Sequence, residues 1–200
     1  MGDGVLNLLK ILLTVLLIPF VYVFATSFHM HLVHYASNVQ EFFLWGVLAY
    51  LIVFLFIYQF WGIFEAGQKV MTQIFNFAVP LDKFLSNAIP FYPVICLLLL
   101  FLIKAFFHSN NYTHYLSFFT GFTFAMHILL VSQDLQNQEK GVFRPNYFFS
   151  FSLVFVINIL LVILLLDLAF GKFTFMKFFK LNFGEAKEIY LTAFKHLTFK

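Results

Sequence analysis

The sequence predicts an all-α polytopic membrane protein, a bundle of about five transmembrane helices with a C-terminal amphipathic helix. Of its 200 residues, 62% are hydrophobic and 10% are charged, whereas charged residues make up about a quarter of an ordinary soluble domain. The apolar residues form runs of about 20, enough to cross ~30 Å of hydrocarbon. These observations exclude a soluble globular domain, and we expect no nucleic-acid partner. The single Cys96 excludes an internal disulfide.

The apolar runs predict a transmembrane domain of residues 1–170, and the charges predict a separate tail at 171–200. The spans are placed near 5–26, 42–63, 88–107, 113–132 and 146–170. The first is expected to be a retained helix rather than a signal peptide, because Asp3 interrupts the basic region that a signal peptide needs. Residues 64–87 are apolar but carry charges, so they predict a re-entrant or interfacial helix ending near Pro80, with a full crossing as the alternative.

The tail carries half of the chain's twelve Lys and Arg residues. An excess of positive charge marks the cytoplasmic side, so we expect a cytoplasmic C-terminus and, with five spans, an N-terminus outside. The tail also has the spacing of an amphipathic helix, with its apolar face formed by Ala186, Ile189, Tyr190, Ala193, Phe194 and Leu197. The surface expected to contact either anionic lipid or a partner subunit consists of Lys172, Lys177, Lys180 and Phe194.

The stretch Phe64-Glu65-Ala66-Gly67-Gln68 has the frame of the zinc-protease motif His-Glu-x-x-His, with both histidines missing. In the intact motif two imidazoles one helical turn apart bind zinc, and the glutamate activates the metal-bound water. Phe64 has no lone pair to donate, and Gln68 offers only an amide oxygen, which zinc accepts less readily than imidazole or thiolate. The stretch therefore predicts a hydrolase scaffold without its metal, and we expect no cofactor.

Further landmarks stand in order around this motif. They are Gly46-x-x-x-Tyr50 upstream and, downstream, Ala88-Ile89-Pro90-Phe91-Tyr92-Pro93, Gly121-Phe122-Thr123-Phe124-Ala125-Met126-His127 and Gln133-Asp134-Leu135. Together with the motif they resemble the M50 family, the site-2-protease-like intramembrane zinc proteases. The resemblance is specifically to small bacterial members of that family, and it covers roughly residues 10–168.

The resemblance implies an intramembrane protease fold in a bacterial inner membrane. It places Glu65 at the catalytic glutamate and Asp134 at the distal aspartate that supplies the third zinc ligand. Both histidine ligands are replaced, and the stretch before Pro90 leaves little room for the β-hairpin with which active relatives present substrate. The resemblance thus implies a pseudoprotease without catalytic activity, a scaffold or accessory subunit that binds another membrane protein. An active intramembrane zinc metalloprotease is the first alternative.

The histidines suggest a further alternative, a haem-binding electron-transfer subunit. His31 and His34 would share one helix face, and His29 would lie off it, so a helical three-histidine site is not expected. His127 lies within a span, where ionisable residues tend to face protein or a cavity. We predict a neutral His127 hydrogen-bonded to a neighbouring helix, with a polar site involving Gln133 or a haem ligand as alternatives. A transporter is disfavoured because the sequence has no inverted repeat.

Other polar residues within the apolar runs predict structural contacts. Asn158 is expected to hydrogen-bond a neighbouring helix, and Asp167, near the end of the last span, is expected to reach the membrane interface. Glu65 lies near membrane depth without a metal to serve. It should therefore be protonated or paired, with Lys69, one turn further on, as the nearest candidate.

Overall fold

The predicted all-α architecture is confirmed. A computed structural model describes residues 2–35, 38–56, 60–79, 81–107, 111–138 and 144–198. Within those ranges the chain forms eight α-helices, one short 3₁₀ turn at Asn76–Ala78, and no strand. The helices are α1 (Gly2–Leu32), α2 (Val39–Phe56), α3 (Trp61–Ile74), α4 (Asp82–Ala88), α5 (Phe91–Phe107), α6 (Thr113–Asn137), α7 (Pro145–Phe170) and α8 (Phe175–Thr198).

Four helices, α1, α2, α6 and α7, are each long and apolar enough to cross a membrane. The pair α4 and α5, bent by 56° at their junction, qualifies together as a broken fifth span. The first span is longer than predicted, since α1 continues to Leu32. The predicted end of the second span at residue 63 is wrong, because α2 ends at Phe56 and residues 61–63 belong to α3. The charged, amphipathic sequence of α3 cannot continue an apolar span.

Residues 64–87 contribute two short helices. With 14 and 7 residues, α3 and α4 are each shorter than the ~20 residues a helix needs to cross the bilayer. Neither helix is long enough to cross alone, and the re-entrant or interfacial placement of this segment stays a prediction. Pro80, where the helix was expected to end, lies outside the described residues.

The spans alternate in direction. Lys10 donates a hydrogen bond to Asn146, and Tyr35 donates one to the Ile163 carbonyl, so α1 and α7 run parallel. The short connections from α1 to α2 and from α6 to α7 make α2 and α6 run the opposite way. One end of the bundle, here called the α3 end, carries α3, α4 and the last turn of α6. The opposite end, the α8 end, carries the start of α2 and the start of α8.

Two glycines bring α2 and α6 into backbone contact. A Cβ atom on Gly46 would lie 1.9 Å from the Phe118 carbonyl oxygen, and one on Gly121 would lie 2.0 Å from the carbonyl oxygen of Phe43. Small residues at such crossings let helices in a membrane approach closely. Tyr50, one turn beyond Gly46, is fully buried against the same partner helix.

Substituting Gly121 by Ala should force α2 and α6 apart. The added methyl would meet backbone rather than a flexible side chain, so we expect a loss of about 1–3 kcal/mol in the free energy of unfolding. Denaturation of the purified protein in mixed micelles would measure it. Gly62→Ala is the matched control, since nothing lies within 4 Å of a Cβ there. Equal stability of the two variants would contradict the close crossing.

The predicted amphipathic tail helix is present as α8, and the row of α8 that packs on the bundle was not predicted. α8 runs back along α1, with Thr174 beside His31 and Phe183 beside Phe20. Its buried positions are Phe178, Asn182 and Ala186. Of the predicted face, Ala186 is buried and Tyr190 is half-buried, Ile189, Ala193 and Phe194 are exposed, and the side chain of Leu197 lies outside the described part. The phenylalanines of α1 decide which row of α8 packs, and periodicity within the tail carries no information about them.

Candidate functional site

A cavity of about 300 Å³ opens at the α3 end of the bundle. We call it the α3–α4 cavity, because both helices line it. All four positions assigned by the resemblance lie in its wall: Phe64, Glu65 and Gln68 from α3, and Asp134 from the last turn of α6. Asp82 and Lys83 of α4 complete its charged lining. The fold therefore brings together motif positions that are distant in sequence.

The helix α3 is held against the bundle by one side only. Phe64, Gly67 and Met71, spaced three and four residues apart, are its buried positions. Tyr92 of α5 fits against the bare backbone of Gly67, where a Cβ would lie 2.9 Å from the ring, and its hydroxyl donates to the Ile63 carbonyl at 2.6 Å. This fixed register keeps the side chains of α3 at the cavity wall.

Phe64, which the resemblance assigns to the first zinc-ligand position, has a hydrocarbon ring. Its side chain is only 4% exposed and packs against Trp61 and His127, with ring centroids 5.5 and 6.1 Å away. Gln68, the second position, is half-buried. Two of the three positions that the resemblance assigns to zinc ligands thus hold a phenyl ring and an amide, and these residues do not fit that metal.

Glu65 is exposed, and the predicted pairing with Lys69 is wrong. Its Oε1 accepts a hydrogen bond from Trp61 Nε1 at 2.6 Å. Because α3 lies at one end of the bundle with its polar side open, the carboxylate has access to solvent and to the indole of the preceding turn. An ion pair was expected because a carboxylate at membrane depth would need a partner. Glu65 is exposed, so this reason does not apply to it.

Asp134 reaches the cavity from α6 and is half-buried. Its Oδ2 accepts a hydrogen bond from Gln138 Nε2 at 2.7 Å, one turn further along the chain. Among the described residues, no group of three or more His, Cys, Asp and Glu side chains is placed to hold a metal ion. The cavity wall therefore offers hydrogen bonds and mixed charge.

The predicted hydrogen bond from His127 to a neighbouring helix is confirmed. His127 is buried, and its Nε2 donates to the Asn87 carbonyl at 3.0 Å. A carbonyl can only accept, so Nε2 carries the proton. Neither His127 nor Gln133 lines the α3–α4 cavity. The buried Oε1 of Gln133 has no hydrogen-bond partner among the residues that the structure describes.

Asn158 performs a similar task from α7, and its predicted interhelical bond is confirmed. Its Nδ2 donates to the Ala88 carbonyl at 3.1 Å, and to Val154 of its own helix. The break between α4 and α5 at Ile89 and Pro90 leaves the last carbonyls of α4 without helical partners. Unpaired carbonyls are costly inside a bilayer. Together with His127, Asn158 therefore stabilises the broken span, which explains two buried polar residues without invoking chemistry.

The surroundings of Asp167 were not predicted from the sequence. It was expected to reach the interface, but it is only 4% exposed. Its carboxylate accepts hydrogen bonds from Tyr35 Oη at 2.9 Å, Thr174 Oγ1 at 2.6 Å and the Phe175 backbone N–H at 2.6 Å. Gly171, in the left-handed conformation at φ 60°, reverses the chain and lays the start of α8 over the carboxylate.

This network links three segments at the α8 end. Burial raises the pKa of Tyr35, so its hydroxyl remains a donor to Asp167. Since the Thr174 hydroxyl also donates to Asp167, it accepts from His31 Nε2 at 3.0 Å. The His31 ring stacks on His34 with centroids 5.2 Å apart, so these two meet as predicted, whereas His29 bonds Gln40 at 2.8 Å. The glycine that follows the last apolar run was the one sequence signal for this turn.

Compared with models of protein families, with curated proteins and with solved structures, the chain has no match. Its class, a multi-pass helical membrane protein, therefore stands on the apolar helices themselves. The resemblance to the site-2-protease-like family stays a prediction.

Proposed function

We propose that this protein is a non-catalytic integral membrane protein with a site-2-protease-like pseudoprotease core. In this role it is a scaffold or accessory subunit that binds another membrane protein. The observation that carries the proposal is the convergence of Phe64, Glu65, Gln68 and Asp134 on one cavity. The family's ligand set would need this convergence, and here it comes with a phenyl ring and an amide at two of the ligand positions.

The absence of catalysis follows from donor chemistry. Zinc requires lone pairs from imidazole, thiolate or carboxylate, and Phe64 supplies none. Without a bound metal, Glu65 has no activated water from which to take a proton. The two alternatives are an active intramembrane zinc metalloprotease and a haem-binding electron-transfer subunit in which His127 would be a haem ligand.

We further propose a bacterial inner-membrane location with α8 on the cytoplasmic side. The lysines support this orientation, because an excess of positive charge marks the cytoplasmic side. Five of the six tail lysines lie within the described residues, in α8 and in the turn before it. Five crossings would put the α3 end, and the cavity with it, on the opposite side. A protease added outside sealed cells should then leave α8 intact, and its cleavage would contradict this orientation.

A first experiment separates the pseudoprotease from both alternatives. The purified wild-type protein should contain no stoichiometric zinc, show no Soret band and cleave no membrane peptide. Glu65→Gln should be tolerated in expression, assembly and cellular function, since the carboxylate has no metal-bound water to activate. Loss of function in a folded Glu65→Gln variant, or stoichiometric zinc that disappears in Asp134→Ala, would overturn the proposal.

A second experiment addresses the partner. A photo-crosslinking residue at Gln68, in the wall of the α3–α4 cavity, should yield one defined adduct with a membrane protein. The same residue at Leu12, on the exposed apolar side of α1, is the matched control and should yield lipid adducts. Identical products at the two positions would speak against the cavity as the partner's site.

A further inference from the structure

The wall of the α3–α4 cavity carries more negative than positive charge. Glu65, Asp82 and Asp134 line it, and within the described part of the chain Lys83 is the single cationic residue of the wall. Glu65 and Asp134 each accept one hydrogen bond from a neutral side chain, whereas Asp82 accepts none. None of the three forms an ion pair with a described lysine or arginine. The cavity therefore holds three carboxylates without a counter-charge.

The side-chain amide of Asn87, at the end of α4, has no partner. The residue is only 5% exposed and lines the same cavity. Its backbone carbonyl accepts from His127, but among the described residues no group bonds its side chain. The orphaned amide oxygens of Gln133 and Asn182 are sealed within the protein, whereas the Asn87 amide is not, so it faces the cavity. Such an amide indicates a ligand, because buried polar groups are normally hydrogen-bonded.

The placement of the acidic residues favours an organic cation over a metal ion. No three described His, Cys, Asp or Glu side chains are placed to hold one metal ion. The carboxylates come from three helices, Glu65 from α3, Asp82 from α4 and Asp134 from α6, so a ligand must present donors in several directions. A guanidinium group has five N–H donors in a planar fork, and it stacks on aromatic rings such as that of Trp61 in the same wall.

We propose that the α3–α4 cavity binds a guanidinium group, presented by an arginine side chain of the membrane protein that this chain binds. The carboxylates supply the counter-charge, and the Asn87 amide oxygen accepts a further N–H. The occupant is assigned by charge complementarity and by the unpartnered amide. This inference rests on the proposed function, since it names the chemistry by which the partner is recognised.

The first test measures binding of a small arginine probe to full-length protein in nanodiscs of phosphatidylcholine. The chain has two tryptophans, so Trp45→Phe leaves Trp61, in the cavity wall, as the only one. N-acetylarginine amide should change the Trp61 fluorescence saturably, and N-acetylcitrulline amide, which has nearly the same shape without the charge, should not. Equal responses to the two probes, or no response to the arginine probe, would overturn the proposal. Equal affinity for N-acetyllysine amide would overturn the choice of guanidinium.

Variants of the cavity wall locate the bound probe. Asp82→Asn and Asp134→Asn should each weaken its binding about fivefold. Asn87→Ala should also weaken it while leaving the stability of the protein nearly unchanged, because the lost amide has no partner in the described chain. Glu41→Gln removes a carboxylate at the start of α2, at the opposite end of the bundle, and is the matched control. An equal loss of affinity in Glu41→Gln, or none in the three cavity variants, would overturn the site.

The photo-crosslinking residue at Gln68 separates this inference from the proposed function. At concentrations that saturate Trp61, N-acetylarginine amide should suppress the adduct with the partner, whereas N-acetylcitrulline amide should not. An adduct that persists while the probe is bound would overturn a partner arginine as the occupant and leave the proposed function standing. A bound probe in a protein that forms no adduct would contradict the partner-binding role, and with it the source of the guanidinium.

Discussion

Replacing Phe64 and Gln68 together by histidine should convert the α3–α4 cavity into a zinc site that binds about one ion per chain. The two imidazoles would lie one turn apart on α3, in the spacing that zinc proteases use. Both positions already line the cavity with Asp134, which would supply the third ligand and leave the fourth position to water. Elemental analysis of the purified variant, with calorimetric titration, would measure the binding.

The control for this variant keeps the number of histidines and moves one of them. Phe64→His with Lys69→His places the second imidazole at a position outside the α3–α4 cavity wall, so zinc affinity should be much lower. Adding Asp134→Ala to the Phe64→His/Gln68→His variant should also weaken binding, because a ligand is lost. A folded Phe64→His/Gln68→His protein that binds no zinc would show that the three side chains do not converge, and the family resemblance would fail with it.

Asp167→Ala should release α8 from the bundle. The substitution removes the acceptor of two partly buried donors, the Thr174 hydroxyl and the Phe175 N–H. The buried Tyr35 hydroxyl loses one acceptor and keeps the Ile163 carbonyl. Each such unpaired group costs about 1–3 kcal/mol, so the two together cost about 2–6 kcal/mol if the bundle stays closed. Undocking of α8 lets water satisfy the same groups, and local opening is therefore the expected response.

Hydrogen exchange resolved along the chain would measure this opening. Amides of 175–198 should exchange faster in Asp167→Ala, while those of α6 and α7 should remain protected. Thr174→Val removes one donor and should give a smaller change of the same kind. Asp134→Ala is the control, since that carboxylate lies at the α3 end and bonds Gln138. Unchanged exchange in α8 would show that Asp167 does not hold the helix.

Some site residues could be placed from the sequence because their chemistry left few options. A histidine or an asparagine inside an apolar span needs a partner on another helix, and His127 and Asn158 each have one. Their acceptors were not predictable. The Asn87 and Ala88 carbonyls become available only because the fifth span breaks, and that break depends on how α4 enters the bundle.

Other residues were misjudged because their surroundings are formed by distant parts of the chain. From the local sequence, Asp167 was expected to reach a membrane interface. In the structure, Gly171 turns the chain and brings Thr174 and Phe175 over its carboxylate. From the local sequence, Glu65 was expected to need a partner such as Lys69. In the structure it is exposed on α3 and accepts a hydrogen bond from the Trp61 indole. In both cases local sequence contains the group, and the fold decides its exposure.

The sequence by itself determined that the chain is a multi-pass helical membrane protein with an amphipathic tail. Runs of apolar residues have no other stable environment, and backbone groups in lipid must pair within each helix. Tertiary structure alone decided which row of α8 packs on α1, how Gly46 and Gly121 seat α2 against α6, and that α3 and α6 share one cavity. These features depend on contacts between segments far apart in the chain, and periodicity within one segment carries no information about its partner.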